Sequence, residues 1–188
     1  QGAYHGTTLG ALSATAIPDL QNPFRPLVGE FYSTPNALDG SIETMKATVE
    51  EIGAENIAAI LVEPVQNGGG AMVPPESYFQ ELSELCRKED ILLISDEVIC
   101  AWGRLGYMFG SERFGYQPDI IATAKGITSA YIPMAATLAS KRVADVFGQD
   151  VFLHGSTFSG HPAACAAALA NIEILESEEL PTRVLQLE

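Results

Sequence analysis

Ile91-Leu92-Leu93-Ile94-Ser95-Asp96-Glu97 is an apolar run that stops at two acids. Four large apolar residues in a row suit a strand covered on both faces, as in a parallel sheet. An amphipathic segment precedes it: Tyr78, Phe79, Leu82, Leu85 and Cys86 recur at i, i+1, i+4, i+7 and i+8, which is one helical face. Pro75 and Glu76 are expected to open that helix, with proline at its first position and an acid in its first turn. Farther upstream, Ile57-Ala58-Ala59-Ile60-Leu61-Val62 is another apolar run of strand length. Strand 57–62, helix 76–89 and strand 91–95 make a βαβ unit. This predicts an α/β fold with a largely parallel sheet flanked by helices.

Downstream, Asp119-Ile120-Ile121-Ala122-Thr123 reads as a third strand and Met134 to Ala139 as a fourth. An Ala-rich helix should run from Pro162 to about Glu176, where Ala163, Ala164, Ala166, Ala167, Ala168 and Ala170 allow very close packing. Near the start, Thr7 to Ala16 suits a helix that ends ahead of Pro18. Thr44 to Ile52 suits another, stopped by Gly53. Residues 18–40, with Pro18, Pro23, Pro26 and Pro35, read as a long irregular connection.

The chain has 188 residues, 47% of them hydrophobic, enough for a core and too many for whole-chain disorder. Ten Lys and Arg against 24 Asp and Glu leave a net charge of −14, which disfavours nucleic acid as a partner. No apolar run reaches the roughly 20 residues of a membrane helix. Gln1-Gly2-Ala3-Tyr4-His5 lacks the basic start and apolar stretch of a signal peptide, and it lacks an initiator Met. A chain cut from something longer is therefore expected. Cys86, Cys100 and Cys165 are widely spaced with no CxxC pair, so a disulfide framework and a zinc site are both disfavoured. Cys86 and Cys165 read as small core residues, and the expected compartment is reducing.

The polar residues at the strand ends carry the chemistry. The first run ends at Glu63, the second at Asp96-Glu97, the third at Lys125-Gly126. The carboxyl ends of parallel strands share one edge, where open α/β sheets bind ligands. A lysine there can attack a carbonyl, and a carboxylate can pair with a positively charged ring nitrogen. Spacing alone leaves three readings open: a Schiff-base site, a nucleotide or metal site, and plain solvated strand ends. GxxxxGK[ST] is absent and no GxGxxG is well placed, which weakens the phosphate-loop and dinucleotide readings.

Five ordered segments go further. They are Tyr4-His5-Gly6, Glu63-Pro64-Val65-Gln66, the run Asp96-Glu97-Val98-Ile99-Cys100-Ala101-Trp102-Gly103-Arg104-Leu105-Gly106, Pro118 to Gly126, and the run from His154 to Pro162. Together they resemble the class III aminotransferases, pyridoxal 5'-phosphate enzymes of fold type I, and within them the ω-amino-acid or amine:pyruvate branch. The resemblance implies that Lys125 forms the Schiff base and moves the proton, and that Asp96 pairs with the pyridinium nitrogen. It places Val98 on one face of the ring and Tyr4 on the other, His5 and Glu63 near the cofactor, and Ser156 and Thr157 at the phosphate of the partner subunit's cofactor. It also implies a homodimer acting on amines and keto acids; the charge, the apolar runs and the Cys and His spacing lead us to expect no nucleic acid, membrane or metal, and a cytoplasmic setting. His154 and His161 lack metal-ligand spacing and read as structural. An aminomutase of the same fold and a non-catalytic fragment are the rival readings.

Several positions depart from the family pattern. Ala101 and Ala130 stand where glycine is common, and Trp102 stands where phenylalanine is more usual. The family's phosphate cradle has no counterpart ahead of Tyr4. Arg183 lies too near the end to be the reader of a substrate carboxylate. Residues 1–188 are thus expected to be part of the large cofactor-binding domain, without the N-terminal segment and the C-terminal small domain, and inactive in isolation.

Overall fold

A computed structural model describes residues 1–35, 41–75, 77–148 and 151–188. They fall into two compact units, residues 1–93 and 94–188.

In the first unit, α1 (Leu9–Ala14) is shorter than expected, and Leu12 and Ser13 are its buried residues. The stretch after it is not wholly irregular. Pro18–Gln21 forms α2, followed by a 3-10 turn at Asn22–Phe24. Pro18 sits at the first helical position, where its missing N–H costs nothing. Residues 36–40 of that expected connection lie outside the described residues. Helix α3 (Ile42–Ile52) starts at Ser41, whose hydroxyl accepts from Glu43 N–H, and ends at Gly53 with φ 86°. Its buried residues, Ile42, Met45 and Val49, share one face.

Strand β1 (Ala59–Val62) and helix α4 (Tyr78–Lys88) come next. All five residues expected on the α4 core face are buried, with Leu82 and Phe79 almost fully enclosed. The helix starts later than Pro75 implied. Tyr78 N–H donates to Pro75 O in a turn, and Ser77 is the residue at the cap. Glu76 lies outside the described residues. Strand β2 (Leu92–Asp96) begins in this unit, where Leu92 N–H donates to Ala58 O at 3.2 Å.

In the second unit, β2 runs parallel to β3 (Ile120–Thr123), with Ile94 opposite Ile120 and Asp96 opposite Ala122. β4 (Ala136–Ala139) pairs antiparallel with β3. The strand order is β1-β2-β3-β4. Helices α5 (Gly110–Arg113) and α6 (Lys141–Ala144) are single turns on either side of β3 in sequence. α7 (Pro162–Ser177) extends the expected Ala-rich helix by one residue, and α8 (Leu180–Leu187) succeeds it. The alanines of α7 do not all pack: Ala164 and Ala168 are buried, while Ala163, Ala166 and Ala170 face outward. Cys86 is a core residue as expected, whereas Cys165 is only half-buried.

Candidate active site

In the first unit, Glu63 comes directly after β1 and gathers two backbone donors. Its Oε1 accepts from Tyr4 N–H at 2.9 Å and its Oε2 from Asn67 N–H at 3.2 Å. A carboxylate that receives backbone N–H groups on both oxygens fixes the segments that supply them. The Tyr4 segment is pinned further by His5 N–H, which donates to the buried Thr15 hydroxyl at 2.9 Å. Thr15 in turn donates to the carbonyls of Gly6 and Ala11. The glycine loop completes this corner. Gln66 and Met72 exchange backbone hydrogen bonds across it, and Gly70 N–H donates to Asn67 O. A Cβ at Gly68 would lie 2.8 Å from the Tyr4 Cβ, so only glycine permits this approach. Tyr4, His5 and Glu63 are therefore brought together.

In the second unit, the two acids after β2 have different surroundings. Asp96 is buried at the strand's carboxyl end, and its Oδ1 accepts from Val98 N–H at 3.1 Å. Glu97 is fully enclosed. Its Oε2 accepts from Gly110 N–H, and its Oε1 from Ser111 N–H at 2.9 Å and from the Ser95 hydroxyl at 3.3 Å. The Ser95 hydroxyl lies 2.7 Å from the Tyr116 hydroxyl, which donates to it in this chain of bonds. Burial pushes the Glu97 carboxyl above the usual carboxylate range, against the opposing pull of its N–H donors. Burial likewise raises the Tyr116 hydroxyl. Glu97 thus holds the start of α5 and closes the loop 98–109 on itself.

Lys125 lies three residues beyond Ala122, the register partner of Asp96. It opens a 3-10 turn, Lys125–Thr128, and its backbone is left-handed with φ 44°. That region is unfavourable for a residue with a Cβ. Its side chain is exposed, unlike that of Asp96. Val98 is half-buried. Trp102 packs against the turn: a Cβ at Gly126 would meet the Trp102 Cβ at 3.0 Å and Cδ1 at 3.2 Å. The Trp102 indole N–H donates to the Thr123 hydroxyl at 2.6 Å. Of the two alanines at expected glycine positions, Ala130 takes φ 63°, while Ala101 is buried and it is Trp102 that takes φ 61°.

Ser156 and Thr157 sit in a fully exposed segment, where Ser159 N–H donates to Ser156 O and the two serine hydroxyls pair. His161 caps α7, its Nδ1 accepting from Ala164 N–H at 3.4 Å. The His154 ring lies 5.6 Å from that of Phe152. The roles of Glu97, Thr123 and Asn171 emerge only in the fold. A polar residue inside an Ala-rich helix, and a Thr closing an apolar strand, are the signals the sequence offers for the last two.

The family profile described as Aminotransferase class-III matches residues 1–188. The chain belongs to the class III aminotransferases. A probable aminotransferase of Mycobacterium tuberculosis is 43% identical over 97% of this class III chain. A putrescine aminotransferase of Pectobacterium atrosepticum is also 43% identical, over 96%. The chain spans about two-fifths of their lengths, 42% and 38%. Among solved structures, an (S)-enantioselective omega-transaminase from Thermomicrobium roseum superposes with a TM-score of 0.92 at 41% identity, over 97% of this chain and 44% of its own. An amine transaminase from an uncultivated Pseudomonas species, in a PLP-bound internal aldimine form, gives 0.90 at 38% identity over 97% and 46%. The class III chain thus has the mixed, mostly parallel sheet flanked by helices of these transaminases.

Proposed function

We infer that this chain carries the cofactor-binding core of a pyridoxal-phosphate-dependent aminotransferase. The reaction moves an amino group from an amine or ω-amino acid to a keto acid such as pyruvate. The observation that carries the reading is Asp96 buried opposite Ala122 at the carboxyl ends of β2 and β3, with an exposed Lys125 three residues on.

These donors suit the cofactor. A buried carboxylate matches a protonated ring nitrogen, an exposed primary amine matches an aldehyde, and hydroxyls match a phosphate. When bound, pyridoxal phosphate supplies an electron sink for the substrate's Cα or equivalent carbon. Asp96 would hold the proton on the ring nitrogen. Lys125 Nζ would hold the cofactor's aldehyde carbon and would take and return the proton at the substrate's reacting carbon. Val98 would cover a ring face. The resemblance offers Tyr4 for stacking, and within the first unit Tyr4 stands with His5 and Glu63. Glu63 acts there by fixing the Tyr4 backbone.

Ser156 and Thr157 belong to an exposed segment, which suits hydroxyls that serve the cofactor phosphate of a second copy. A homodimer with shared sites is the consequence of that reading. Cys86, Cys100 and Cys165 are thiols outside any disulfide, which suits a reducing, cytoplasmic setting. Among the described residues no helix is long and apolar enough to cross a membrane.

The test is an assay of the protein carrying this chain with a panel of amines and ω-amino acids. Alanine should form in step with donor loss, and only when pyruvate is supplied. Donor rearrangement without any keto acid would establish an aminomutase on the same residues and overturn the reading.

A further inference from the structure

The turn that bears Lys125 is held from outside by one side chain of α7. Asn171 Nδ2 donates to Gly126 O at 2.8 Å and to Ile127 O at 3.2 Å. Both carbonyls belong to residues directly after the lysine. Within the turn, Ile127 N–H donates to Ala124 O and Ser129 N–H to Gly126 O. These bonds define a 3-10 turn, and such turns hold weakly on their own. Lys125 enters it with a left-handed backbone, a conformation that reverts unless its surroundings enforce it. Trp102 also packs against Gly126, fixed through its indole to Thr123, the last residue of β3. Thr123 is almost fully buried, so this anchor is rigid.

We propose that Asn171 is a positioning residue for Lys125, clamping the turn against Trp102 so that the strained backbone aims the amine. The inference rests on the reading of Lys125 as the cofactor's attachment point. Asn171 touches no reacting group. It acts through two peptide carbonyls, and its amide protons are what matter. Trp102 is the second contact on the turn, and its indole N–H is a feature that phenylalanine at this position cannot reproduce.

The experiment uses the protein carrying this chain, loaded with pyridoxal phosphate, and reads two quantities. One is the pH midpoint of the visible band of the bound cofactor. The other is the rate at which the cofactor leaves on dilution. Asn171→Ala removes both donors. Asn171→Asp keeps the shape and sets a carboxylate against two carbonyl oxygens. Release should accelerate about tenfold in Asn171→Ala, as expected for two lost hydrogen bonds, and further in Asn171→Asp. The pH midpoint should move by about half a unit in both. Trp102→Phe, which keeps the ring packing and loses only the indole donor, should shift both readings in the same direction by less. If the Asn171 variants do not fold, Trp102→Phe decides. An unchanged midpoint and release rate in every folded variant overturns the clamp. Lys125→Ala separates the two levels: a visible band that survives in it overturns the reading of Lys125 itself, and the clamp with it.

Discussion

At the end of β2, Glu97 is enclosed and each of its oxygens has a donor, while Asp96 beside it is 8% exposed. Across residues 151–160 the opposite holds. Every residue there is exposed, including Val151 at 80%, Leu153 at 92% and Phe158 at 80%. Both regions carry residues that resemble the family's, so sequence likeness does not separate them. Their construction does. The strand end is specified by the chain's own folding, because a buried carboxylate is tolerated only when its hydrogen bonds are made. The exposed segment has hydroxyls and apolar side chains that gain little from this chain. On the proposed reading, such residues serve through what binds to them, cofactor phosphate or a second copy.

Asp96→Asn should show the largest effect. Asparagine fits the same space but cannot hold a proton on the ring nitrogen, so turnover should fall by about 10²–10⁴-fold while some cofactor remains bound. Single-turnover kinetics with bound cofactor quantified checks this. Turnover near normal would remove the strand end from the chemistry and leave it purely structural.

Glu97→Ala should show the next effect, on folding. The backbone N–H groups of Gly110 and Ser111 would lose their acceptor inside the protein, costing about 2–4 kcal/mol by denaturant unfolding. The same carboxyl gives a pH signature. Its raised pKa means that the folded state holds the proton more tightly than the unfolded chain. Between the ordinary glutamate range and that raised value, the folded state binds more protons, so stability falls as pH rises through this window. Thermal unfolding across pH should show that slope in the unvaried protein and a flatter one in Glu97→Gln.

Thr157→Ala should show the smallest effect on stability, within about 0.5 kcal/mol, since Thr157 is exposed. It should instead raise the cofactor concentration needed for half-saturation. A large loss of stability would break the contrast between the two regions.

Much of the fold was legible in the residues. The α4 face was set by period, and the strands β1 to β3 by their length and apolar composition, because both signals come from burial. Strand-end position drew attention to Asp96 and Lys125, and the likeness of the flanking segments to the family separated them from Glu63 and Glu97. Pro75 misled, since proline also suits the turn whose carbonyl receives Tyr78 N–H. The antiparallel direction of β4 was not readable, because pairing direction depends on how the chain returns from β3. Nor were the partners of Glu97 or the grip of Asn171 on Gly126, which join residues 13 to 45 positions apart. The single-turn helices α5 and α6 are too short to carry a period.

The central claim is that Lys125 is where the cofactor attaches. Reduction of the pyridoxal-phosphate-loaded protein with borohydride, then digestion and mass mapping, tests it directly. A single pyridoxyl-phosphate adduct is expected on the peptide containing Lys125, and none in Lys125→Ala. An adduct on another lysine, or one that persists in that variant, would contradict it.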